Sequence, residues 1–293
     1  MKPSDIMLTD QVAIVTGGGG GIGRGIALAL ADVGADVVVA DIEPARCEET
    51  VARIRERGRK GLGVVTDVMD SEQVRAMVAK ADAEFGRVDI LVNNAGGVSS
   101  RQFMDQSERS WRRHIDINLV SMLTATHAAV PIMRRGGRGG AILNVASIEA
   151  VRAAPSFAVY AACKAGMVSF TKTMACELAE DNIRVNVICP DHTKTPGNHG
   201  NRSGPVDESS WPKETPERLA AWRRLIPAGG EGHVDQCGRA AVYLCSAMGD
   251  YVTGAVLPVD GGTMAAGGWF RAPEGPGWTL MDGLGFGMAP TPG

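Results

Sequence analysis

The chain has 293 residues, 44% apolar and 22% charged, a globular composition long enough for one large α/β domain or two small ones. Its net charge of −3 gives nucleic acid and anionic membranes no electrostatic hold, and no window approaches ~18 uninterrupted apolar residues. The polar start MKPSDIMLTDQ lacks a signal-peptide core, and the six cysteines form no C-x-x-C pair, so zinc and thioredoxin-like readings fail and a reduced, cytoplasmic setting is expected.

Short β-branched runs alternate with helix-length amphipathic segments. Buried strands are expected at 12–15, 37–39, 63–65, 90–92, 141–145, 185–188 and 256–259, because these runs are almost continuously apolar. Helices are expected at 22–33, 44–57, 71–85, 107–133, 157–180 and 234–247. In the first, Ile22, Ile26, Leu30 and Val33 recur at spacings of three and four, and Gly34 is a natural stop. Such alternation predicts a doubly wound α/β domain: a mainly parallel seven-stranded sheet with helices on both faces. Cys163 and Cys176 read as small core residues, and the cluster Arg134, Arg135 and Arg138 as a solvated loop.

Residues 1–262 form the expected catalytic domain. Within it, 191–215 is polar and turn-rich, and PERLAAWRRLI then sets Leu219, Trp222 and Leu225 on one side of a short helix, so about 191–226 is read as a substrate lid. The extension 263–293 is rich in glycine and proline yet carries Trp269, Phe270, Trp278 and Phe286, which suggests an ordered arm packed on a neighbouring surface.

Five consecutive glycines, Gly17 to Gly21, lie where the first strand meets the first helix. Glycine there permits a tight turn and bares helix N-terminal N–H groups to an anion. The nucleotide-hydrolase P-loop fails, because Arg24 and Gly25 follow Gly23 where that motif needs Lys and Ser or Thr. The dinucleotide reading succeeds: Asp41 ends the next strand 20 residues after Gly21, placed to accept from ribose hydroxyls.

Thr16–Gly17 followed by Gly21–Ile22–Gly23 gives T-G-x-x-x-G-I-G, which resembles the short-chain dehydrogenase/reductase family. Asp67–Val68, NNAG at Asn93–Gly96, Asn118 in IDINL, Ser147, YAACK from Tyr160 to Lys164, IRVNVICP ending at Pro190, and YVTGAVLPVDGG ending at Gly262 follow in that family's order. The resemblance spans about residues 9–262 and implies a Rossmann fold. It implies cofactor contacts from Gly17, Gly21, Ile22, Gly23, Asp41, Ile42, Asp67, Val68, Asn94, Ala95, Gly96, Tyr160, Lys164 and Pro190, with Thr193 a looser match, and it implies a homotetramer.

Tyr160 and Lys164 stand four residues apart and share a helix face. A nearby ammonium is expected to lower the phenol from its ordinary pKa of ~10 toward neutrality, where it works as acid and base. The resemblance adds Ser147 to orient the substrate oxygen and Asn118 to hold a water linked to Lys164. No metal is required. The resulting expectation is reversible hydride transfer between a small-molecule secondary alcohol or ketone and a nicotinamide. Asp41 would repel a 2′-phosphate, and the position where phosphate-preferring relatives often carry a base is Gly20, so NAD is the expected cofactor. Val98, Glu149, Val151 and Phe157 are candidate substrate contacts by proximity, and His192 is a further one, against a plain surface role for it and His199. Asp191 follows Pro190 where the family commonly has glycine, either as a tolerated substitution or as a hydrogen-bonding group for cofactor or substrate. The alternatives are an NADPH-dependent 3-oxoacyl-carrier-protein-type reductase and a non-catalytic dinucleotide sensor.

Overall fold

The computed structural model describes residues 2–201, 203–272 and 277–279. Seven strands form one sheet: β1 (Val12–Thr16), β2 (Asp36–Asp41), β3 (Gly61–Val65), β4 (Ile90–Asn93), β5 (Gly140–Val145), β6 (Ile183–Pro190) and β7 (Val256–Val259). Their order is β3-β2-β1-β4-β5-β6-β7 and every pair is parallel, so the sheet is wholly rather than mainly parallel. The chain reverses direction across the sheet between β1 and β4, the place where doubly wound sheets open a crevice at their carboxyl ends.

Alternating strand residues feed two cores. Ala13, Val15, Val37 and Val39 pack with Ile26 and Leu30 of α1 (Gly21–Asp32), with Cys47 and Ile54 of α2 (Pro44–Arg55), and with a third helix on the same face. Ile14, Val38 and Leu91 point the other way, toward Met77 of α3 (Ser71–Phe85) and Ala129 of a long later helix. Burial of both faces is what the apolar runs encode. The edge strands depart from that expectation: β3 leaves Val65 54% exposed and β7 is only half-buried, because each has a neighbour on one side alone.

The helix expected at 107–133 is α4 (Glu108–Ile115) and α5 (Ser121–Gly136), joined by a π-helical turn, Asp116–Val120, that contains Asn118. The run Glu108–Gly136 is long and apolar enough to cross a bilayer, but it packs here against α3 and against α6 (Ala158–Glu177). Arg134 and Arg135 belong to its last turn, where they pair with Asp181 and Asp82, and are not loop residues. Cys176 is exposed on α6, contrary to its reading as core, whereas Cys163 is buried.

The 191–226 segment runs through irregular turns into α7 (Pro216–Leu225), and α8 (Val234–Cys245) then crosses α1. That crossing requires bare backbone: a Cβ on Gly25 would stand 2.8 Å from the Val234 carbonyl, and one on Gly238 would stand 2.8 Å from that of Gly25. After β7, the short α9 (Thr263–Ala266) precedes a two-stranded hairpin, β8 (Phe270–Arg271) with β9 (Trp278–Thr279). The hairpin packs on the chain's own α7 and the residue pair after it: Arg271 donates to the Pro227 carbonyl at 2.6 Å, and β8 touches α7. Phe286 lies outside the described residues.

Candidate active site

The glycine turn holds its shape through residues on both sides of the crevice. Gly17 (φ +63°) and Gly21 (φ +53°) adopt left-handed backbone that other residues rarely take. A Cβ on Gly23 would collide with the Gly17 carbonyl and the Asn94 amide, so Gly23 sets the packing of α1 on the turn rather than lining the cleft. Asn94 donates to the Thr16 and Gly17 carbonyls at 2.9 and 3.2 Å, and the Thr16 hydroxyl accepts from the N–H groups of Asn94 and Ala95. At the end of β2, Asp41 accepts from the Gly19 and Glu43 N–H groups at 3.0 and 3.1 Å. A cavity of about 380 Å³ runs over this floor and is lined by Gly17, Gly21, Ile22, Asp41, Ile42, Asp67, Val68, Asn94, Ala95 and Gly96. The cradle fits a dinucleotide: bare turn, helix N-terminus, and carboxylate at the far strand end.

A second cavity, of about 790 Å³, shares Ile22, Asn94 and Gly96 with the first and is therefore continuous with it. It brings together Asn118, Ser147, Tyr160, Lys164, Pro190 and Thr193, along with Val98, Glu149, Phe157 and His192. Val151 is 46% exposed and is not among the lining residues.

Four polar groups of this cavity are anchored by hydrogen bonds. Ser147 leaves β5 and caps a short 3₁₀ turn, accepting from the Glu149 N–H at 3.2 Å. Asn118 is fully buried; it donates to the carbonyls of Gly97 and His114 and accepts from the Gly97 N–H at 3.1 Å, tying the NNAG loop to the π-helical turn. Lys164 donates to the Val145 carbonyl at 2.8 Å, and its Nζ lies 5.7 Å from the centre of the Tyr160 ring. Thr193 turns its hydroxyl to the Asp191 carbonyl, which fixes the turn after β6.

The electrostatics differ from the sequence expectation. Burial pushes the Tyr160 phenol up to about 12, the Ser147 hydroxyl offsets part of that rise, and the Glu149 carboxylate adds to it. Burial also pulls Lys164 down to about 8. The ammonium faces the ring and the Val145 carbonyl, so in the protein alone desolvation outweighs any help it gives the phenolate.

Asp191 is 6% exposed, with one oxygen 3.5 Å from the Arg152 guanidinium and 3.7 Å from the His192 ring. Arg152 also holds Glu149 at 2.9 Å. The substitution of glycine thus builds a charged cluster beside the cavity. His192 packs on Trp222 at 4.5 Å between ring centres, and His199 stacks on Trp211 at 4.2 Å, so both histidines fasten the 191–226 segment internally.

Sequence reasoning missed Arg46, Ser99, Arg113 and His114 as lining residues. Arg46 could be read only as a basic residue near Asp41, not as a contact.

A family model described as enoyl-(acyl carrier protein) reductase matches residues 17–264. The chain is 35% identical to a 3-oxoacyl-[acyl-carrier-protein] reductase of Chlamydia muridarum, over 87% of this chain and 98% of that protein. It is also 35% identical to a 2-dehydro-3-deoxy-D-gluconate 5-dehydrogenase of Escherichia coli K12, over 89% and 98% respectively. Among solved structures, a 7α-hydroxysteroid dehydrogenase complexed with NADH and 7-oxo glycochenodeoxycholic acid is 31% identical and superposes with a TM-score of 0.80, covering 89% of this chain and 97% of that one. The glycine cradle, the Ser147–Tyr160–Lys164 cavity and these matches lead to one conclusion: the chain belongs to the short-chain dehydrogenase/reductase family of oxidoreductases.

Proposed function

We propose that the protein interconverts a secondary alcohol and a ketone with NAD, and that its substrate is a lipophilic, cyclic or aromatic alcohol. The observation that carries this reading is the convergence of Ser147, Tyr160 and Lys164 in a cavity continuous with the glycine cradle. The N-terminus of α1, with Gly17, Gly21 and Ile22, is assigned to the pyrophosphate; Asp41 and Ile42 to the adenosine ribose; and Asp67 and Val68 to the adenine. Asn94, Ala95, Gly96, Pro190 and Thr193 are assigned to the nicotinamide half. When bound, the dinucleotide supplies the hydride acceptor or donor.

In the reducing direction Tyr160, a neutral phenol at physiological pH that burial holds still further from ionising, donates its proton to the ketone oxygen while Ser147 holds that oxygen in place. In the oxidising direction the phenol must first give its own proton to solvent, and the resulting phenolate oxygen then takes the hydroxyl proton. Lys164 grips the nicotinamide ribose and supplies positive charge beside the ring face. Asp41, whose two oxygens accept backbone N–H groups, lines the ribose end of the cleft and disfavours a 2′-phosphate. The test is absorbance-monitored turnover of an alcohol and ketone panel with each cofactor. A higher kcat/KM with NADP(H) overturns the cofactor assignment, and Asp41→Ala is expected to narrow the difference between the two.

The second reading, a 3-oxoacyl-carrier-protein-type reductase, is favoured by the relative from Chlamydia muridarum. It predicts NADPH-dependent reduction of 3-oxoacyl thioesters in preference to simple ketones. We also propose a cytoplasmic homotetramer assembled through the helices carrying Asn118 and Tyr160. Ile115 and Leu123 are exposed there, at 38% and 37%, and analytical ultracentrifugation reads the outcome.

A further inference from the structure

The guanidinium of Arg46 stands between the glycine turn and the lid. Its Nε donates to the Gly204 carbonyl at 2.6 Å, and its Nη2 donates to the carbonyl and side-chain oxygens of Asn201 at 3.0 and 2.6 Å. Nearby, the Gly204 N–H donates to the Glu43 carboxylate at 3.2 Å, so the start of α2 holds this part of the lid at two points. The third guanidinium nitrogen, Nη1, donates no hydrogen bond among the described residues. It lies 3.6 Å from the place a Cβ on Gly20 would occupy.

Gly20 is the N-cap of α1, so Nη1 sits beside a helix N-terminus whose first N–H groups lack intrahelical partners. Arg46 lines both cavities although only 8% of it is exposed. Asp41 is not its partner. Both side chains flank Gly19, but the carboxylate is taken by two N–H groups and no ion pair joins it to Arg46 among the described residues. A buried cation with one unpartnered N–H edge, aimed where a helix already favours negative charge, has the chemistry of a phosphate contact.

We infer that Arg46 binds a phosphate of the dinucleotide's adenosine half and ties the lid to it. Nη1 and the α1 N-terminus hold the phosphate oxygens, while Nε and Nη2 keep Asn201 and Gly204 closed over the site. The inference rests on the dinucleotide reading of the cleft. The phosphate has two sources, the pyrophosphate common to both cofactors and the 2′-phosphate of one, and the place of Nη1 beside the α1 N-cap, with no ion pair to Asp41 among the described residues, favours the pyrophosphate.

The experiment titrates the full chain calorimetrically with adenosine, with ADP, and with adenosine 2′-phosphate, comparing the parent with Arg46→Gln and Arg46→Lys. Arg46→Gln is expected to weaken ADP by about 10- to 100-fold, the effect of one charge-assisted hydrogen bond pair, while adenosine changes by less than about twofold. Arg46→Lys, which keeps the charge and guards against misfolding of the first variant, is expected to recover part of the loss. ADP is expected to protect residues 197–215 from limited proteolysis in the parent and not in Arg46→Gln. A selective loss for the 2′-phosphate instead of ADP also supports Arg46 as the phosphate ligand, and overturns the NAD assignment. Equal weakening of adenosine and ADP, or no weakening in either variant, overturns the inference. A parent chain that binds neither adenosine nor ADP overturns the dinucleotide reading itself, and Arg46's role with it.

Discussion

Replacing Arg24 with Met tests whether the glycine turn owes its shape to a buried cation. Arg24 donates twice to the Gly19 carbonyl, at 3.0 and 2.6 Å, and once to the Thr50 hydroxyl at 3.0 Å. Its other edge meets Glu49 at 2.6 and 2.8 Å. Met strands the Gly19 carbonyl, and each buried group left without its partner costs about 1–3 kcal/mol. Thr50, 3.5 Å from that carbonyl, recovers a little of this. The side chain of Glu49 is 39% exposed and rehydrates, so losing the ion pair itself adds about 1 kcal/mol at most. The sum is about 3 kcal/mol. Unfolding entropy of about 2.1 cal/mol/K per residue over 293 residues converts this to a fall in Tm of about 5 °C, read by calorimetry. Because the Gly19 N–H also holds Asp41, dinucleotide affinity is expected to fall with it. The double variant Arg24→Met/Glu49→Met is expected to be less destabilised than the sum of its singles. A Tm unchanged within about 1 °C with normal dinucleotide binding would refute the reasoning.

Gly23→Ala is expected to abolish dinucleotide binding and lower Tm strongly, because the new methyl meets the Gly17 carbonyl and the Asn94 amide, neither of which can retreat; unchanged binding by fluorescence titration contradicts this. Lys164 gives a pH signature. Its folded value, about 8, lies below its ordinary 10.5, so the unfolded chain binds more protons between those values. Its contribution is therefore fully present above 10.5, is lost as pH falls through about 8, and spans at most about 3 kcal/mol. Urea unfolding of the parent minus Lys164→Met is expected to rise across that window; a flat or falling difference contradicts it.

The order of layers was legible because parallel strands buried on both faces need continuous apolar runs, as in Val37–Val39 and Ile90–Val92, and because the glycines from Gly17 to Gly23 mark a strand-to-helix turn of bare backbone. What could not be read depends on tertiary neighbours. Nothing local marks Val65 as an edge residue, or shows that Cys176 faces outward on α6. The Tyr160–Lys164 spacing fixed a shared helix face but not the direction of the ammonium. Only the fold reveals that it turns to the Val145 carbonyl, leaving burial to dominate the phenol. Arg46 was hidden for the same reason, since its partners Asn201 and Gly204 are more than 150 residues away.

The central claim is that the Tyr160 phenol moves the substrate proton while hydride passes to or from a nicotinamide. Single-turnover hydride transfer by Tyr160→Phe, with a substrate from the alcohol panel and with dinucleotide affinity measured alongside, tests it most directly. Unchanged folding and dinucleotide binding are expected, with a rate lowered by about 10²–10⁴, the share ordinarily supplied by a positioned acid or base. A variant that transfers hydride at the parent's rate would contradict it.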